Sequence, residues 1–200
     1  MISAGNDIVA LNAIDKQRTD QPAFYSKFIT PTELALHNSD EITLVNFVWL
    51  LWSAKESAYK YLKRNNPELI FAPAKLIVQK LNILNPLKTD ENAHNSYRGK
   101  IRKGDTVLPF LSIVTKEFIA TVIDQVDVRW SVKQIDASDY ESQSKAVRIF
   151  LLNDLKMPGA SVEKHPVGYP ILIKDSKELD IAVSFAHHDR YVSYSFQIPK

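Results

Sequence analysis

WSAKESAYK, residues 52–60, closes a segment in which Ile42, Val45, Trp49, Trp52 and Glu56 recur at helical spacing. Ser39 or Asp40 can cap this helix, and Asn65, Asn66 and Pro67 stop it, so it is expected to end near Arg64. Just upstream, Thr30 can cap a short helix through about Leu36, with Pro31 in its first turn and Glu33 completing a capping box. Further upstream, Ile2 to Leu11 is an apolar segment interrupted by Gly5, Asn6 and Asp7, which suits a strand carrying a polar residue. Downstream, Lys75 to Leu81, Ser96 to Arg102, Val107 to Val114 and Phe118 to Ile123 are rich in branched and aromatic residues and read as an antiparallel meander. The polar stretch from Asn85 to Asn95 reads as a loop within it.

A second helix is expected from Ser138 to Leu155, with Ser138 as cap and Ala146, Ile149, Phe150 and Leu152 on its buried side. Pro158 and Gly159 end it. Strands Tyr169 to Ile173 and Ile181 to Gln197 follow, the latter turning at His188, Asp189 and Arg190. Glu117 to Val122 and Arg190 to Ser195 echo one another: each is a charge, an aromatic and an alternating strand, and each closes a helix–loop–strand series. The fold class is therefore α+β, with two similar halves, 1–130 and 131–200, each placing helices on a small antiparallel sheet.

Composition limits the functions available. A net charge of +2 makes no general case for nucleic-acid binding. Without cysteine there are no disulfides, zinc-thiolate sites or cysteine nucleophiles. The longest apolar run, Phe47 to Trp52, is far short of the ~20 residues of a membrane helix. No leader peptide is evident, and a cytoplasmic protein is the expectation. Ser-His-Asp elbows, phosphate-binding glycine loops and dinucleotide fingerprints are missing.

Two features carry chemistry. Glu56 and Lys60 are neighbours on one helix face, where an ordinary surface ion pair would stand equally well. Asp7 is either a turn residue beside Gly5 and Asn6 or a strand carboxylate. A strand carboxylate and a helix carboxylate together can hold Mg²⁺, which takes one or two carboxylates, waters and substrate phosphates. His187 and His188 are adjacent on a strand, so only one can line a given pocket.

In order and spacing these segments resemble the 4'-phosphopantetheinyl transferases. Gly5-Asn6-Asp7-Ile8-Val9 is similar to the family's Gly-x-Asp motif, FYSKFITPTEL at 24–34 to the segment after it, and WSAKESAYK to its most diagnostic motif. Ser184-Phe185-Ala186-His187 is similar to its Ser-x-Ser/Thr-His segment, and Gly168-Tyr169-Pro170 stands at its Gly-Lys-Pro. The acidic residue that larger members often carry two positions after the aspartate is Val9 here. In larger, pseudo-dimeric members the Ser-His segment precedes the aspartate motif. Here it follows, so the two halves read as exchanged in order, giving a monomer, with a trimer of short-type subunits as the alternative.

The resemblance implies transfer of 4'-phosphopantetheine from coenzyme A to a serine of an acyl or peptidyl carrier protein, with release of 3',5'-ADP. It assigns Mg²⁺ to Asp7 and Glu56, the serine proton to Glu56, and the pyrophosphate to Lys60. Ser184, His187, Lys145 and Arg148 are expected at the nucleotide, with His187 on its 3'-phosphate. Exposed Lys16, Arg18 and Lys27 would steer an acidic carrier. Other Mg²⁺-dependent phosphoryl transfer, or non-catalytic binding of coenzyme A or a carrier, are the rival readings.

Overall fold

A computed structural model describes residues 2–84 and 95–197. The chain runs β1 (Asn6–Ala10), α1 (Lys16–Thr19), α2 (Pro22–Tyr25), α3 (Pro31–Leu34), α4 (Leu44–Asn65), β2 (Ile77–Leu84), β3 (Asn95–Lys103), β4 (Thr106–Val114), β5 (Phe118–Ile123) and β6 (Val128–Gln134). It continues with α5 (Tyr140–Leu155), β7 (Ser161–Lys164), β8 (Pro170–Lys174), β9 (Lys177–Glu178), β10 (Ala182–His188) and β11 (Tyr191–Gln197). Helices and antiparallel sheets make it an α+β protein, as its sequence leads one to expect.

The main sheet has the order β1-β5-β4-β3-β2, and α4 lies across it. Phe47, Val48, Leu50, Leu51, Ala54 and Ala58 of α4 are buried against Ile101, Phe110, Ile119 and Ile123. The capping box of α3 is present as expected. Thr43, not Ser39 or Asp40, caps α4, because Asn38 organises a turn of its own by accepting from Glu41 and Ile42. Strand β3 begins at Asn95, the last residue of the expected loop; residues 85–94 lie outside the described residues.

A second sheet has the order β10-β11-β6 and carries α5, while β7, β8 and β9 form a small third sheet. Residue 130, where the sequence reading divides the chain, falls inside β6. Asp139 rather than Ser138 caps α5. Its buried row is Gln143, Val147 and Leu151; Ala146 is half-buried and Ile149 is 47% exposed, because the helix turns only one narrow stripe to the sheet.

The two larger sheets share a pairing pattern. Strand β1 pairs with β5 so that Ala10 meets Phe118, and Leu11 N–H donates to Glu117 O at 2.7 Å. Strand β6 pairs with β11 so that Gln134 meets Tyr191, and Ile135 N–H donates to Arg190 O at 2.8 Å. The Phe118 and Tyr191 rings touch, 5.1 Å between centroids. Around them Ile8, Ala10, Ala120 and Ala186 form a small apolar seam joining the sheets.

Candidate functional site

Strand β1 lies so close to α4 that a Cβ on Gly5 would meet Ser57 O at 2.2 Å and Tyr61 Cβ at 2.8 Å. Close approach, not a turn, requires glycine there. The next residue, Asn6, is fully buried and fastens β1 to the second sheet. Its backbone N–H donates to Ser184 Oγ (3.2 Å), its Nδ2 donates to Ser193 Oγ (2.9 Å), and its Oδ1 accepts from Ser195 Oγ (3.3 Å).

With Asn6 fixed, Asp7 is turned towards α4. Lys60 Nζ donates to Asp7 Oδ1 at 2.9 Å and to Asn6 O at 3.0 Å. The neighbour pair expected on the helix, Glu56 with Lys60, gives way to a strand–helix pair, and Glu56 forms no ion pair among the described residues. A buried strand carboxylate flanked by a carbonyl draws the ammonium more strongly than a helix neighbour does.

Glu56 consequently holds its proton above the usual carboxylate range. Burial is the main cause and the negative charge of Asp7 adds to it, against a downward pull from Lys60. No three of His, Asp and Glu converge among the described residues. Two mutually repelling carboxylates are nevertheless a donor set suited to Mg²⁺, which fills its remaining positions with water and phosphate oxygens.

Beside this pair opens a cavity of about 360 Å³, and Lys60 belongs to its wall. Lys63, Arg64 and Tyr59 of α4 continue one side. Tyr140, Ser144, Val147 and Arg148 of α5, Ser184 and His187 of β10, and the β7–β8 hairpin with Lys164 and Tyr169 form the rest. Asp7 and Glu56 adjoin this wall rather than line it. Cations dominate; among the described residues Glu163 is the only carboxylate of the lining. Among the described residues none of Lys63, Arg64, Arg148 and Lys164 is paired with a carboxylate.

Of the residues expected at a nucleotide, Ser184, His187 and Arg148 line this cavity and Lys145 does not. Lys145 is exposed, turned about 100° around α5 from Ser144. The His187 ring lines the cavity, in an edge-type contact with Tyr140 at 5.4 Å between centroids, and burial followed by the charge of Lys60 pushes its pKa below the ordinary histidine value. His188 points the other way and accepts from Ala10 N–H through Nδ1 at 2.9 Å. Lys63, Arg64, Lys164 and Tyr140 are functional candidates that sequence reading missed. The signal for the first two was their place in the last turn of α4, one turn beyond Lys60.

The model of the 4'-phosphopantetheinyl transferase superfamily matches residues 3–110, which include β1, α4, Asp7, Glu56 and Lys60. The chain belongs to this superfamily. No curated protein and no solved structure matches it. Membership places it among enzymes of phosphopantetheinyl transfer, whose partners in general are coenzyme A and a carrier protein. No helix among the described residues is long and apolar enough to cross a membrane.

Each departure from the superfamily pattern has a local physical setting. Ala186 is buried in the apolar seam with Ile8, Ala10 and Tyr191, where a hydroxyl would lack a partner. Val9 is likewise buried. Tyr169 removes a cation from the hairpin, but Arg64 comes over its ring at 4.5 Å.

Proposed function

We propose that this chain transfers 4'-phosphopantetheine from coenzyme A to a serine hydroxyl of an acyl or peptidyl carrier protein. The observation that carries the reading is the junction of Asp7, Glu56 and Lys60 with a cavity whose further wall cations, Lys63, Arg64, Arg148 and Lys164, form no ion pair among the described residues. Such a cavity suits a polyanion that reaches the carboxylates at one end.

Asp7 and Glu56 are the residues that would hold Mg²⁺, and the ion would supply charge neutralisation at the pyrophosphate. Lys60, already beside Asp7, turns its ammonium to the same phosphates. The serine oxygen attacks the phosphorus that carries pantetheine, the bond from that phosphorus to the bridging oxygen breaks, and 3',5'-ADP leaves with the electron pair. The serine proton passes to Glu56, a carboxylate that no cation pairs with among the described residues. Ser184, His187 and Arg148 face the nucleotide. Lys16, Arg18 and Lys27 are exposed and would steer an acidic carrier.

The matched pairing of β1 with β5 and of β6 with β11 supports two similar halves, 1–130 and 131–200 with the division falling inside β6, in one pseudo-dimeric unit. In that correspondence the counterpart of Asp7 is Ser131, so the second half offers no carboxylate there and one site per chain results. A monomer follows from the pseudo-dimeric reading, in which one chain supplies both halves. Incubation with coenzyme A, Mg²⁺ and a carrier tests the function: the carrier serine gains the group, and a carrier with that serine changed to alanine gains nothing. Equal labelling of both carriers would contradict the reading.

A further inference from the structure

Glu56, Lys60 and Arg64 succeed one another by one turn down a single face of α4, leading from Asp7 towards the β7–β8 hairpin. Lys60 donates to Asp7 and Asn6, at the pyrophosphate end of the site. Arg64 is the next cation along, half-buried and part of the cavity wall. Its guanidinium lies 4.5 Å from the centroid of the Tyr169 ring, and Nη1 donates to Pro170 O at 3.2 Å. His165 stacks on Tyr169, centroids 4.4 Å apart and planes 6° from parallel, so the ring itself is braced.

An aromatic face and a carbonyl fix the plane of a guanidinium without neutralising it. Among the described residues no carboxylate pairs with Arg64; Glu178 and Asp180 act on it only at longer range. The other cations of α4 and α5 are differently engaged. Lys63 donates to the carbonyls of Pro67 and Leu69, and Arg148 to Ser144. Arg64 is thus a braced planar fork rooted one helical turn from Lys60, with Cβ atoms about 5–6 Å apart. Planar forks recognise phosphate oxygens in pairs.

We propose that Arg64, held by Tyr169, reads the 3'-phosphate of the nucleotide and sets this site's preference for coenzyme A over its analogue lacking that phosphate. The assignment rests on the coenzyme A reading above and adds a residue to it. Titration calorimetry with 3',5'-ADP and with 5'-AMP, which differ by that phosphate alone, tests it.

Wild type binds 3',5'-ADP the more tightly. Arg64→Met weakens 3',5'-ADP by about 10- to 100-fold while changing 5'-AMP by less than about 3-fold. Tyr169→Phe keeps the preference and Tyr169→Ala loses part of it. Arg64→Lys, which keeps the charge without the fork, falls between wild type and Arg64→Met and serves if the latter is misfolded. Equal weakening of both nucleotides, or no weakening of either, overturns the assignment, as does a wild type that binds the two alike. A chain whose Arg64-dependent preference persists although no carrier is labelled contradicts the transferase reading alone. Labelling with a preference indifferent to Arg64 contradicts this assignment alone.

Discussion

Glu56 stands one turn from Lys60 on α4, yet the ammonium is turned to Asp7, and this leaves the glutamate half-buried with a like charge for company. Its folded-state pKa lies above the unfolded value, so ionising it costs stability as pH rises from the ordinary glutamate range through the raised value. Glu56→Gln removes that cost. The variant should melt above wild type near neutral pH, match it below the ordinary glutamate range, and label no carrier. A variant equally destabilised at both pH values would show that Glu56 serves the fold instead. Helical spacing identified Glu56 and Lys60 as neighbours, but it could not show the strand beside them. Arg64 was missed for the same reason: it reads as a helix end until Tyr169 is placed against it. Lys145 lies outside the cavity lining because it stands about 100° around α5 from Ser144, an angle that a linear motif does not fix.

At the scale of elements, α4 is positioned by a buried ion pair. Lys55 Nζ meets Glu33 Oε1 at 2.7 Å with both side chains fully buried, and also donates to Phe28 O and Pro73 O. Burial pushes the Lys55 ammonium below its ordinary value, against the upward pull of Glu33. Glu33→Gln leaves that ammonium without a counter-ion and should cost about 3–5 kcal/mol in urea unfolding. A change below about 0.5 kcal/mol would mean the carbonyls suffice. The capping box made Glu33 legible as a helix-start residue, and the structure bears that out while adding a second partner that no local pattern reveals. Strands β3, β4 and β5 were legible because branched residues alternate between turns. Strand β6 was not, since Arg129, Lys133 and Gln134 are exposed and dilute its apolar alternation.

Across the whole molecule, β1 is shared between two sheets: it pairs with β5 and is bonded through Asn6 to β10 and β11. In the echoed segments Glu117–Val122 and Arg190–Ser195, Phe118 and Tyr191 begin β5 and β11 and face Ala10 and Gln134 at the ends of β1 and β6. What the linear order could not show is that these two aromatics touch. The pseudo-dimeric reading predicts a monomer near 22.7 kDa in sedimentation. A species of about three times that mass would favour the trimeric arrangement instead.

The most direct test of the whole account is the intact mass of a carrier protein after incubation with coenzyme A and Mg²⁺. With the wild-type chain, the carrier should gain one phosphopantetheine group on its serine and 3',5'-ADP should appear in equal amount; with Asp7→Asn or Glu56→Gln, neither should. Unchanged carrier mass with the folded wild-type chain across acyl and peptidyl carriers, or labelling that survives both substitutions, would contradict it.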